Sequence, residues 1–191
     1  SSVCGLKKGD NITVNDLLYG MMLESGNDAA EALAEYHSGS IEEFAKVMIG
    51  DVISAVRRTG RTATLLCTSK YECRDALVAI RREGLNEAIN WALPQFHCPA
   101  LIIMSDLPMV TPGSLQRVVS TKADMAIVPG LGGGTNILFI KNPEKFHVEY
   151  YGFSFRRHLQ IAEELGMSVE IIDSMRMSTD VDEPSDLVEL M

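Results

Sequence analysis

Short apolar runs alternate with stretches of helical period from about residue 62 onward. The runs lie at Ala63–Thr68, Ala100–Ser105, Met125–Pro129, Ile137–Lys141 and Ser168–Ile172. Each is rich in Ile, Val or Leu and bounded by Gly, Pro, Ser, Asp or Asn, as strands covered on both faces are. Between them the spacing predicts helices over Glu72–Arg82, with Ala76, Leu77 and Ile80 on one face, and over Asn86–Leu93, with Ala88, Ile89, Trp91 and Ala92 inward. Pro112–Ser120 has Thr111 as a cap and Pro112 at the first helical position. Ser154–Leu165 and Ser185–Leu190 complete the set. Strands alternating with helices predict an α/β fold, a mostly parallel sheet with helices on both faces. Ligands of such sheets bind beyond the carboxyl ends of the strands, so the residues just after each run are the ones to inspect.

The first 60 residues carry no strand pattern. Val14–Leu23, Asn27–Tyr36 and Ser40–Thr59 read as helices, the last opened by Ser40-Ile41-Glu42-Glu43 in capping-box spacing. Its inward stripe is Phe44, Val47, Met48, Val52, Ile53 and Val56. No internal repeat is visible.

Charge narrows the partners. Seventeen Lys and Arg against 26 Asp and Glu leave a net charge of −9. A polyanion such as duplex DNA is thereby disfavoured, whereas a small phosphorylated ligand held at one local site with a divalent metal is not. No run of apolar residues is long enough to span a membrane. The cysteines Cys4, Cys67, Cys73 and Cys98 form no Cys-x-x-Cys pair. Cys67 and Cys98 are expected as buried thiols, which fits a reducing, cytoplasmic location. The opening Ser1-Ser2-Val3-Cys4 has neither Met nor an apolar leader, and reads as a processed or excerpted chain.

Four segments carry candidate chemistry. Met104-Ser105-Asp106-Leu107-Pro108 places a carboxylate at the ligand edge of the sheet, where such groups hold Mg²⁺ or, equally, cap a turn. Pro129-Gly130-Leu131-Gly132-Gly133-Gly134-Thr135-Asn136 can aim several backbone N–H groups at one anion, with Thr135 and Asn136 adding donors; the alternative is a hairpin loop. Ser178-Thr179-Asp180-Val181-Asp182-Glu183-Pro184 puts Asp180 and Asp182 on one side of an extended chain, where they repel unless a cation sits between them. On its own this segment reads as a solvated acidic loop. In Tyr150-Tyr151-Gly152-Phe153-Ser154-Phe155-Arg156-Arg157-His158, Gly152 and Ser154 sit at a helix start that favours phosphate, and Arg156, Arg157 and His158 could add positive charge. His37, His97 and His147 show no ligand spacing.

Taken together, Asp-Leu-Pro, Gly-Gly-Gly-Thr-Asn, Tyr-Gly-x-Ser-Phe and Thr-Asp-Val-Asp-Glu-Pro-x-Asp-Leu, with Gly84-Leu85-Asn86-Glu87-Ala88, resemble the archaeal 2-phospho-L-lactate guanylyltransferases, CofC-type nucleotidyltransferases of deazaflavin coenzyme F420 biosynthesis. The similarity runs from about Phe44 to Met191. It implies a nucleotide-diphospho-sugar-transferase-like α/β domain over residues 44–191. It also implies transfer of GMP from GTP to a phosphorylated three-carbon acid, 2-phospho-L-lactate or phosphoenolpyruvate, with release of pyrophosphate. By the same resemblance Asp106, Asp180 and Asp182 would be catalytic Mg²⁺ ligands. Thr135, Gly152 and Ser154, with Gly133 and Gly134, would bind the acceptor phosphate, and Asn86 would lie near the nucleotide. A phosphate acceptor is already ionised near neutral pH, so positioning and charge neutralisation dominate such a reaction and no general base is required.

Family members begin with a buried strand and a Lys/Arg phosphate loop that grips the triphosphate, and this chain shows no counterpart. Residues 5–48 instead resemble a fragment of the D-alanyl-D-alanine carboxypeptidases, on Gly5-Leu6-Lys7-Lys8-Gly9-Asp10, Asp16-Leu17-Leu18 and Glu24-Ser25-Gly26-Asn27-Asp28-Ala29-Ala30, which implies a helical segment of penicillin-binding-protein type over residues 1–43. Ser25 and Asn27 would match that family's Ser-x-Asn, but its Ser-x-x-Lys nucleophile and Lys-Thr-Gly strand are missing. The expectation is therefore a chimera with a helical segment in place of the first strand. Its expected function is that of a guanylyltransferase, and the alternatives are an inactive phosphate-binding module or chimera and a carboxypeptidase fragment. An opened sheet edge makes a homodimer a further expectation.

Overall fold

The computed structural model describes residues 3–24 and 27–179. The chain opens with α1 (Val14–Glu24), α2 (Asn27–Ser38) and α3 (Ile41–Arg58). Then follow β1 (Thr64–Cys67), β2 (Leu77–Ile80), α4 (Leu85–Ala92), β3 (Ala100–Ile103), α5 (Pro112–Val119) and β4 (Met125–Pro129). The remaining elements are β5 (Thr135–Ile140), α6 (Ser154–Glu164), β6 (Val169–Ile171) and α7 (Met175–Ser178). The predicted helix Ser185–Leu190 lies outside the described residues.

The sheet that positions the site has strand order β3-β5-β4-β6. β5 runs antiparallel to both of its neighbours, while β4 and β6 are parallel. β3, β4 and β6 therefore share one direction and β5 alone reverses it. β1 and β2 form a separate parallel pair. The sheet is covered on both faces, and side-chain alternation divides its core in two. Ala126, Val128, Ile137 and Phe139 turn toward Val52 and Ala55 of α3, Leu115 and Val118 of α5, and Met177 of α7. Met125, Ile127, Leu138 and Ile140 turn the other way, toward Ile89 of α4 and Ile161 and Ala162 of α6. All six residues of β5 are buried, which explains why its sequence reads as a continuous apolar run.

Local signals set most boundaries. Ser40 caps α3, its hydroxyl accepting from the Glu43 N–H at 3.1 Å. Glu43 itself turns to Lys46 instead of closing the box. Thr111 and Ser114 form a complete reciprocal box at α5, with Pro112 in the first turn. Four expectations need correcting. The segment expected as a helix over Glu72–Arg82 contains β2, because Leu77-Val78-Ala79-Ile80 pairs in register with Thr64–Cys67. A four-residue apolar run fits either period, and the available edge of β1 decides it. Trp91 faces outward, 46% exposed, with the Arg81 guanidinium 4.0 Å from its ring centroid. Of the α3 stripe, Val52 and Ile53 are buried, whereas Val47 is exposed. Cys98 is exposed and Cys67 half-buried, so neither is the buried thiol its apolar surroundings suggested.

The N-terminal helices carry a small cluster of their own, Ala29 and Ala30 against Leu6, Leu17 and Leu33. Asp28 ties the preceding segment to α2 by accepting from the N–H groups of Cys4 and Leu6, both at 2.8 Å. Among the described residues no helix is long and apolar enough to cross a membrane.

Candidate functional site

The β4–β5 connection is a glycine hairpin closed from within. Gly130 N–H donates to Gly134 O at 3.1 Å and Gly133 N–H to Gly130 O at 3.0 Å. Leu131 N–H donates to Ser178 O at 3.2 Å. The expected cradle is therefore smaller than its glycine count suggests, since these three amides hold the turn. The N–H groups of Gly132 and Gly134 are not used by these bonds. Gly133 has φ +83°, a left-handed conformation that disfavours a side chain, and a Cβ there would sit 3.0 Å from the Phe153 ring. Loop and helix approach closely here: Phe155 N–H, in the first turn of α6, donates to Gly133 O at 3.3 Å. Gly152, which turns the chain into that helix, also has positive φ, +74°.

Beneath the loop lies a buried polar cluster. Thr135 opens β5 and is 3% exposed, and Ser154 and His158, one turn apart on α6, are 1% and 0% exposed. Thr135 Oγ1 is 2.9 Å from His158 Nδ1, and the Ser154 hydroxyl lies 3.3 Å from Thr135 Oγ1. On the far side of the ring, His158 Nε2 accepts from the Glu149 backbone N–H at 3.0 Å. The edge of the Tyr150 ring packs on the imidazole, centroids 4.9 Å apart.

Burial pushes the His158 pKa down to about 4; the nearby Glu149 carboxylate opposes this and His147 adds to it. The imidazole is therefore neutral at physiological pH, which corrects the expectation that it adds positive charge. Arg157 donates to Glu149 Oε2 at 2.7 Å, so its charge is matched, and Arg156 beside it is exposed. The low His158 value has a stability consequence. Between pH 6.5, the ordinary value, and about 4, the unfolded chain binds a proton that the folded chain does not. Stability is therefore expected to fall as pH drops through that window, by about 3 kcal/mol in total, and to owe nothing to this group above it. Urea midpoints between pH 7.5 and 4.5 check this, and His158→Asn should flatten the dependence.

Asn86 and Asn90, also one turn apart, grip the segment leading to α6. Asn90 accepts from Val148 N–H at 2.7 Å and donates to Val148 O at 3.0 Å. Asn86 Oδ1 accepts from Tyr150 N–H at 2.7 Å. The side chain thus has a holding task that its sequence context did not announce. Asn86→Ala is expected to cost about 1–3 kcal/mol, because it strips a half-buried N–H of its acceptor; a shift in the urea midpoint reads it.

Asp106 is half-buried three residues beyond β3, next to Leu107, which is 0% exposed and anchors the turn. Met104 N–H donates to Asn136 O at 3.0 Å, so the strand end leading to Asp106 lies beside the residue after Thr135. Asn136 in turn donates its amide to Met177 O at 3.1 Å, which brings α7 to the same edge. Ser178 and Thr179 are both buried there. Asp180, Asp182 and Ser25 lie outside the described residues. The structure thus gathers Thr135, Ser154, Gly133, Gly134 and Gly152, with Asp106 approached through Met104 and Asn136, while Asn86 reaches them through Tyr150. Among the described residues no three acidic, His or Cys side chains form a group able to hold a metal. His158 was expected here as a cation and not as a hydrogen-bond partner of Thr135, although its four-residue spacing from Ser154 is the signal for a shared helix face. A cleft of about 390 Å³ elsewhere, between α3 and the segment before β2, contains the paired Arg57 and Asp75 and shares no residue with this cluster.

A family profile described as guanylyl transferase CofC like matches residues 23–191. The 2-phospho-L-lactate guanylyltransferase of Methanocorpusculum labreanum is 89% identical over 150 residues, 78% of this chain and 71% of that protein. Its counterpart from Methanoculleus marisnigri is 61% identical over 150 residues, 78% of this chain and 70% of that protein. Among solved structures, one described as a nucleotide-diphospho-sugar transferase, from Desulfovibrio desulfuricans G20, matches with a TM-score of 0.59 at 12% identity, over 75% of this chain and 73% of that one. A hypothetical transferase from Thermus thermophilus gives a TM-score of 0.52 at 18% identity, over 73% of this chain and 85% of that one. At such identities the likeness shows the fold alone, and that fold is nucleotide-diphospho-sugar-transferase-like, as the sequence implied.

Proposed function

Because the chain belongs to the CofC-like guanylyl transferase family, we propose that it transfers GMP from GTP to a phosphorylated three-carbon acid, 2-phospho-L-lactate or phosphoenolpyruvate, in cytoplasmic deazaflavin coenzyme biosynthesis. The observation that carries the reading is the convergence of the glycine hairpin, Thr135 and Ser154 at the start of α6. Hydroxyls, backbone N–H groups and a helix N-terminus are the donors that a phosphoryl group needs, and they meet here at the carboxyl edge of the sheet.

In this reading Thr135, Ser154 and the amides of Gly132 and Gly134 fix the acceptor's phosphoryl oxygens. Gly133 and Gly152 supply the turns that let the backbone come close. One phosphoryl oxygen attacks the α-phosphorus of GTP; that P–O bond forms as the bond to the leaving pyrophosphate breaks, and the electron pair departs with pyrophosphate. Asp106, with Asp180 and Asp182, would hold Mg²⁺, a hard cation suited to carboxylate oxygens, which supplies charge neutralisation to the phosphates. The burial of Ser178 and Thr179 against the hairpin supports the inclusion of Asp180 and Asp182. Asn86 shapes the nucleotide side by fixing the backbone at Tyr150.

The test is pyrophosphate release in the presence of Mg²⁺, GTP and each acid in turn. Release requiring both GTP and one acid is expected; none with either acid at saturating GTP would contradict the reading.

A further inference from the structure

We propose that His158 is a positioning residue: from inside the core it donates its Nδ1–H to Thr135 Oγ1 and so turns a hydroxyl hydrogen outward, toward the phosphoryl oxygens of the acceptor. This rests on the reading that Thr135 and Ser154 bind the acceptor.

A backbone N–H can only donate, so the Glu149 amide, 3.0 Å from Nε2, requires Nε2 to accept. A neutral imidazole then carries its hydrogen on Nδ1. Thr135 Oγ1, 2.9 Å away, must accept that hydrogen, and its own hydrogen cannot point back into the ring. Ser154 Oγ is the other hydroxyl in reach, at 3.3 Å. Whichever way the Ser154–Thr135 pair is oriented, one hydroxyl hydrogen is left over, and it faces away from the imidazole. An anionic phosphoryl group offers lone pairs only, so it needs that hydrogen. In the opposite tautomer Nδ1 would draw the Thr135 hydrogen inward, and the one remaining hydrogen, on Ser154, could reach an anion only by giving up its bond to Thr135 Oγ1. The Glu149 amide bars that arrangement. Packing holds the ring in place: Tyr150 lies edge-on against it, and the Phe146 centroid is 6.2 Å away. Nothing in this scheme requires His158 to touch substrate.

The experiment combines calorimetric titrations of 2-phospho-L-lactate and of phosphoenolpyruvate without nucleotide, and of GTP with Mg²⁺ without acid, with a double-mutant cycle. The variants are His158→Phe, His158→Asn, Thr135→Val and the His158–Thr135 double variant. His158→Phe keeps a ring but loses both nitrogens, whereas the Asn amide can restore a donor near the Nδ1 position. Acid affinity is expected to fall about tenfold in His158→Phe, to recover to within about threefold of wild type in His158→Asn, and to fall no further when His158→Phe is added to Thr135→Val. GTP affinity should stay unchanged throughout. Unchanged acid affinity in folded His158→Phe would overturn the positioning role while leaving the acceptor reading intact, provided that Thr135→Val weakens binding. Equal loss of acid and GTP affinity without rescue by Asn would assign His158 to structure alone. Wild type that binds no acid, or unchanged binding in Thr135→Val, would sink the acceptor reading itself. Should His158→Phe fail to fold, ¹⁵N–¹H long-range correlation on wild type decides: the Nδ1–H tautomer supports the proposal and the Nε2–H tautomer overturns it.

Discussion

Asp106→Asn is expected to lower GTP- and acid-dependent pyrophosphate release by roughly 10³-fold, with little change in thermal stability. The side chain keeps its size, and Leu107, 0% exposed, still pins the turn. What is lost is a negative charge at the carboxyl edge of the sheet, where a divalent cation would need it. Parallel assays of rate and melting temperature check this. A rate within a few-fold of wild type would remove Asp106 from the metal site. A large fall in melting temperature would instead make it a turn-capping residue. Raising the Mg²⁺ concentration should recover part of the lost rate if the charge acts through metal affinity.

Thr135→Val is expected to act on stability and on binding together. Valine matches threonine in shape, so packing at the start of β5 survives. The His158 Nδ1–H, 2.9 Å from Thr135 Oγ1 in a fully buried setting, would lose its acceptor. An orphaned buried donor costs about 1–3 kcal/mol, readable as a lower urea midpoint. Affinity for the phosphorylated acid should fall at least tenfold, because the site loses the hydroxyl hydrogen aimed at the phosphoryl group. Thr135→Ser retains the hydroxyl and should recover most of the binding. A loss of stability with unchanged acid affinity would show that the hydroxyl serves the fold alone.

The sequence was informative wherever chain-local rules decide the outcome. Met125–Pro129 reads as a strand because both of its faces are buried. Thr111-Pro112 starts α5 because capping geometry is local. The glycine-rich hairpin and the start of α6 were also legible as elements, and the structure brings them into contact. What sequence patterning could not reveal is what the folded chain does with its donors. Three hairpin amides are consumed by Gly130 O, Gly134 O and Ser178 O, the last more than forty residues away in the chain. Asn86 is engaged by Tyr150 across 64 residues. His158 looked like a cation beside two arginines, yet burial makes it neutral and Glu149 fixes which nitrogen carries its hydrogen. β2 was missed for a similar reason: Leu77–Ile80 is a strand only because β1 offers it an edge. Ser178, Tyr150 and the edge of β1 are partners outside the local period, and single-chain periodicity carries no record of them.

The most direct measurement is a crystal structure of the protein with 2-phospho-L-lactate. The phosphoryl oxygens are predicted within hydrogen-bonding distance of Thr135 Oγ1 and Ser154 Oγ, with the amides of Gly132 and Gly134 turned toward them. A ligand seated instead in the Arg57–Asp75 cleft, with the Thr135 hydroxyl untouched, would contradict the account.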